Sequence, residues 1–132
     1  MNISNCEGFQ LMGAFIDAMK NFRSFSGGAT YIIASSCSIP RLEGRSDILY
    51  IGQTETLGGE NGRLWNYSYA QNGTNDWRIK QYSQEMCKRG SSVFLYICTT
   101  PPGGKTVKEY ESFLLEQYRE EHWELPPWNS QA

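Results

Sequence analysis

The sequence predicts one α+β domain, and three observations support this. With 132 residues the chain is about one average domain, long enough to bury one core and too short for two. Three short runs rich in β-branched and aromatic residues lie between stretches whose apolar residues recur at helical spacing. Hydrophobic residues at 39% and aromatic residues at 14%, against 20% charged, exclude a disordered or coiled-coil chain.

The elements follow in order. Ser4, Asn5, Cys6 and Glu7 fit a capping box, and Phe9, Met12, Phe15, Ile16, Met19 and Phe22 then predict a long amphipathic helix that stops in the Ser- and Gly-rich residues 24–28. Ala29, Thr30, Tyr31, Ile32, Ile33 and Ala34 form a first strand. After a Ser-, Pro- and Gly-containing loop, Ile48, Leu49, Tyr50 and Ile51 form a second, bounded by Gly52. A Gly-rich turn leads to two helix-like stretches, one through Arg63, Leu64 and Tyr67 and one carrying Ile79, Tyr82 and Met86, with the turn former Asn72-Gly73 between them. Val93, Phe94, Leu95, Tyr96, Ile97 and Cys98 form the third strand. None of the three strands alternates polar with apolar residues, so both faces of the sheet are expected to be covered. Thr106 and Glu109 then form a capping box that opens a last helix with Val107, Tyr110, Leu114 and Tyr118 inward, and Pro126-Pro127 forbids its continuation.

Composition also limits function. No run approaches the roughly 18 apolar residues of a membrane span, and the first residues lack the basic start and apolar stretch of a signal peptide, so the chain is read as intracellular with no membrane partner. Cys6, Cys37, Cys87 and Cys98 show no C-x-x-C spacing and His122, expected at the surface, is the only histidine, which argues against a zinc site or a disulfide framework. Gly104-Lys105-Thr106 lacks the first glycine of a phosphate loop and follows two prolines that remove N–H groups, leaving a breaker turn before a capped helix.

Net charge is −2, yet residues 61–108 carry Arg63, Arg78, Lys80, Lys88, Arg89, Lys105 and Lys108 against only Asp76 and Glu85, a local balance of +5. Such a basic middle fits contacts to a phosphate backbone. Glu111 is the odd residue of the last helix, because its spacing with Val107, Leu114 and Tyr118 puts a carboxylate in line with the buried stripe. It is expected either to meet a cation, an arginine or a metal ion, or to snorkel to water at the rim. Tyr31 and Tyr50 read as half-buried strand tyrosines, and Arg63 and Tyr67, four apart, share a helix face.

Together these residues resemble the GIY-YIG nuclease superfamily. The resemblance rests on a strand holding Tyr31, a second reading Leu49-Tyr50-Ile51-Gly52-Gln53-Thr54, a helix with Arg63, the stretch Glu111-Ser112-Phe113-Leu114-Leu115-Glu116-Gln117-Tyr118, and Pro126-Pro127-Trp128-Asn129. It covers residues 29–129 as the core of a single domain spanning 1–132, with residues 1–28 as an N-terminal helical extension. The first motif reads Ala29-Thr30-Tyr31 where Gly-Ile-Tyr is usual, and Gln53 stands where many members carry a lysine.

The resemblance implies a three-stranded, mainly antiparallel sheet flanked by helices and a metal-dependent endonuclease acting on nucleic acid, with DNA the expected substrate. Tyr31 and Tyr50 would be the signature tyrosines, Arg63 the phosphate-binding arginine, Tyr67 its neighbour one turn later, and Glu111 the ligand of one Mg²⁺ or Mn²⁺ per site. A tyrosine, Tyr31 or Tyr67, would orient or deprotonate the water, its hydroxyl acidified by nearby cations. Gln53, Asn129, Arg78, Lys80 and Lys105 would contact substrate. A catalytically weak or inactive nucleic-acid or protein interaction module is the alternative. A chain with one site would need two copies for a double-strand cut, and the apolar first helix is one candidate surface for such a homodimer.

Overall fold

The computed structural model describes residues 1–129 of the chain. Its elements are β1 (Gln10–Ala14), α1 (Phe15–Lys20), β2 (Ala29–Pro40), β3 (Arg45–Thr54), α2 (Arg63–Ser68), α3 (Asn75–Lys88), β4 (Val93–Cys98) and α4 (Val107–His122), with single 3₁₀ turns at Ile3–Asn5, Phe22–Ser24 and Pro102–Gly104. The sheet has four strands in the order β1-β4-β2-β3, every pair antiparallel. An α+β fold is as expected, but a fourth strand joins the three read from the sequence.

That strand corrects the reading of the N-terminus, since residues 10–14 pair with β4 instead of forming a helix. Gly8 and Gly13 adopt φ of +83° and +107°, values foreign to a right-handed helix, and the register shifts between Leu11 and Gly13. Leu11 and Met12 are 52% and 37% exposed, so the helical spacing has structural meaning only from Phe15 onward. From there Phe15, Ala18, Met19 and Phe22 are spent in the chain's own core, which removes the apolar helix proposed as a dimer surface.

Both faces of the sheet are covered, which explains the missing alternation. Ala29, Tyr31, Ile33, Leu49, Val93 and Leu95 pack with α1, α2 and α3 residues such as Phe15, Leu64, Tyr67 and Ile79. Ile32, Ala34, Ile48, Ile51 and Cys98 pack against Tyr110, Leu114 and Tyr118 of α4. The loop expected between the first two strands instead extends them into a long hairpin. Backbone pairing there survives a register shift between Ala34 and Ile39 although Ser36, Cys37 and Ser38 are exposed.

The predicted capping box of α4 is present, with Glu109 N–H donating to Thr106 Oγ1 at 3.1 Å and Thr106 N–H to Glu109 Oε1 at 2.8 Å. His122, expected at the surface, is buried against Tyr118, with Nδ1 2.7 Å from the Glu43 carbonyl. Trp128 and Asn129 cover the edge of β3. The Asn129 amide behaves as a strand residue, accepting from Ile51 N–H at 3.0 Å and donating to the Ile51 carbonyl at 2.9 Å. Among the described residues, no helix is long and apolar enough to cross a membrane.

Candidate active site

Tyr31, the third residue of β2, stands opposite Gly52 of β3. Tyr50 lies two residues before Gly52 and shares its face, and its ring stacks on Tyr31 with centroids 5.8 Å apart and planes inclined by 29°. A Cβ at position 52 would sit 2.6 Å from the Tyr50 ring and 2.7 Å from that of Tyr31. The glycine is therefore the gap that lets two tyrosines share one patch of sheet.

The turn before α2 fixes the arginine. Arg63 N–H donates to the Thr56 carbonyl at 2.9 Å and Leu64 N–H to that of Leu57 at 3.0 Å, so the glycine-rich loop folds back over the helix start. Gly58 has no room for a side chain, since a Cβ would lie 1.9 Å from the Phe25 carbonyl oxygen. At the other end Lys80 Nζ donates to the Ser68 carbonyl at 2.8 Å.

So positioned, Arg63 joins the tyrosines. Its Nε donates to Tyr31 Oη at 2.9 Å and its Nη2 to Tyr67 Oη at 3.1 Å, while the two hydroxyls are themselves 2.9 Å apart. The guanidinium carbon also lies 4.3 Å from the centroid of the Tyr67 ring, whose face it covers. Tyr31 and Tyr67 are 1% and 0% exposed.

Burial holds both phenols well above their ordinary pKa, and the Arg63 charge offsets this only in part. In the chain by itself neither phenol is acidified, because the same packing that builds the cluster removes the water needed to solvate a phenolate. Burial works against the Arg63 charge as well, but Asp76 together with the neighbouring Tyr31 and Tyr67 outweighs it, so the guanidinium is held above its ordinary value.

Asp76 was not singled out from the sequence. It grips Arg63 with two bonds, 2.6 Å from Nη1 and 2.9 Å from Nη2. Nothing in a spacing of thirteen residues across two helices announces such a pair. One signal was available, because Asp76 and Glu85 are the two carboxylates of the basic middle, and each proves to be bonded to an arginine, Arg63 and Arg89 respectively.

A polar cleft of about 680 Å³ opens beside Arg63, where the two helical layers meet at the end of β3. Gln53, Thr54 and Asn66 line it together with Thr106, Val107 and Lys108 from the start of α4. Glu111 lies one turn further along α4, in the layer on the sheet face opposite Tyr31. It is half-buried, its carboxyl raised above the ordinary range by burial with Lys108 pulling the other way. Among the described residues no hydrogen bond or ion pair engages that carboxylate, and no group of three or more His, Cys, Asp or Glu side chains is arranged to hold a metal.

The structure thus joins Tyr31, Tyr50, Arg63 and Tyr67 in one cluster and sets Gln53 on the adjoining cleft. The remaining basic candidates do not line it. Arg78 is exposed on α3, Lys80 is committed to α2, and Lys105 Nζ lies 4.8 Å from the centroid of the Phe113 ring. Asn129 is engaged by the β3 backbone. No family model, curated protein or solved structure matches the chain.

Proposed function

We propose that the chain is a GIY-YIG-type, divalent-metal-dependent endonuclease that hydrolyses phosphodiester bonds in nucleic acid, with DNA as substrate. The observation that carries this reading is a guanidinium hydrogen-bonded to two buried phenols at the wall of a polar cleft. An oriented, permanently charged fork is what a phosphate transition state needs, because charge builds on the equatorial oxygens as the bond breaks.

In this reading Tyr31 and Tyr67 stay neutral and hold Arg63 by accepting its N–H groups. Tyr50, the half-buried member of the trio, is the phenol available to orient the attacking water. Exposed Lys108, on the cleft, and Arg78 contribute backbone contacts that weaken with salt. The free, half-buried carboxylate of Glu111 suits a hard cation that takes oxygen ligands, and would hold Mg²⁺ or Mn²⁺ with water and phosphate filling its shell. When bound, such an ion supplies a Lewis acid and acidifies its water.

A catalytically silent nucleic-acid or protein interaction module is the second reading, favoured by the bidentate Asp76–Arg63 pair and by Gln53 in place of the lysine of many GIY-YIG nucleases. Plasmid cleavage in Mg²⁺ or Mn²⁺ separates the two. The nuclease reading expects cleavage by the wild type, reduced about 10²- to 10³-fold in Arg63→Ala and abolished in Glu111→Ala. Salt-sensitive DNA retention without cleavage supports the module, and full activity in Glu111→Ala overturns the metal assignment.

A further inference from the structure

We propose that Asp76 is a built-in competitor for the phosphate, a carboxylate that substrate must displace from Arg63 and that thereby sets how tightly nucleic acid binds. The inference rests on the nuclease reading of the Arg63 site and concerns a residue outside the expected constellation.

Counting donors shows why. A guanidinium has five N–H groups in a planar fork. Here Nε is committed to Tyr31, Nη2 to Tyr67 and Asp76, and one N–H of Nη1 to Asp76, which leaves a single N–H on Nη1. The two bonds to Tyr31 and Tyr67 orient the group from inside the fold. The edge shared by Nη1 and Nη2, where a phosphate would bind through two oxygens, is the one Asp76 occupies.

Exchange is feasible where the pair sits. The Arg63 and Asp76 side chains are 20% and 25% exposed, so the bridge lies at the boundary with water and not sealed in the core. Asp76 belongs to the first turn of α3, whose N-terminal dipole stabilises the carboxylate once it is released. The phosphate then gains a charged fork already held by two phenols, while the exchange costs the breaking of one ion pair.

Binding of a labelled duplex oligonucleotide, measured without divalent metal across a salt series, tests this. Asp76→Asn keeps the side chain's shape and removes its charge. It should bind about tenfold more tightly, the penalty expected when the competent state is populated about a tenth of the time, with a salt slope steeper by about one phosphate contact. Asp76→Glu should bind as the wild type does, and Arg63→Gln should bind more weakly and erase the gain of Asp76→Asn in the double variant. A purely structural ion pair would give the opposite for Asp76→Asn, with a lower melting temperature and equal or weaker binding.

If Arg63→Gln binds weakly but Asp76→Asn shows no gain, the competitor role is wrong and the phosphate-binding arginine stands. If Arg63→Gln binds as the wild type does, the phosphate reading fails and the role of Asp76 fails with it. Should Asp76→Asn not fold, the wild type provides the test: the Asp76 side-chain carboxyl carbon, followed by NMR, must shift when duplex is added. An unmoved signal at saturation overturns the proposal.

Discussion

At position 52 a single hydrogen decides whether two phenol rings can share the sheet. A methyl group there would stand inside contact distance of both Tyr50 and Tyr31, and the Tyr31 ring cannot yield freely, since it is also fastened to Tyr67 and Arg63. Gly52→Ala should therefore cost about 1–3 kcal/mol, the usual range for overpacking, seen as a lower midpoint in chemical denaturation. It should also displace Arg63, so that the cleavage proposed for this site falls further than stability predicts. A variant as stable as the wild type would show that the rings have room to move apart. The Tyr-x-Gly spacing was visible in the sequence, but its reason was not, because the clash involves Tyr31 from another strand.

At the scale of elements, the N-terminal segment is an integral part of the sheet and core. β1 completes β4, and Phe15, Ala18, Met19 and Phe22 pack around Tyr67 and Leu64. Removing large buried apolar side chains costs about 2–5 kcal/mol each, and a typical domain has only about 5–15 kcal/mol of stability in total. A chain lacking residues 1–26 should thus show no cooperative thermal transition by circular dichroism. A sharp melt near that of the full chain would mean that residues 29–129 fold alone. The helix expected in this segment illustrates the limit of periodicity. Phe9, Met12 and Phe15 fit helical spacing, but glycines at positive φ and an unpaired β4 edge outweigh that weak preference.

For the whole molecule, the notable property is how many phenols the fold keeps neutral. Burial pushes Tyr110 up to about 12 and raises Tyr31, Tyr67 and Tyr118 above the ordinary value of 10.0. The sign follows from linkage: a phenol whose pKa is higher in the folded state contributes stability that is fully present below its unfolded value and is lost as pH rises past it. Unfolding in alkali should accordingly set in above about pH 10. The tyrosinate absorbance of the buried phenols Tyr31, Tyr67, Tyr110 and Tyr118 should rise only as the fold is lost. Titration of these four with the fold intact would contradict the packing described here.

What the sequence determined by itself was local or periodic: the α+β class, the β-forming runs and the capping box at Thr106 and Glu109. Each depends on neighbours within about a turn of helix or a few strand residues, where propensity and capping act directly. Only the tertiary structure decided that β1 is a strand, that His122 is buried, that Asn129 serves the β3 edge, that Tyr31 and Tyr67 are sealed from water and that Asp76 holds Arg63. These outcomes turn on desolvation and on pairing between segments far apart in the chain, and such energies exist only once the segments have met.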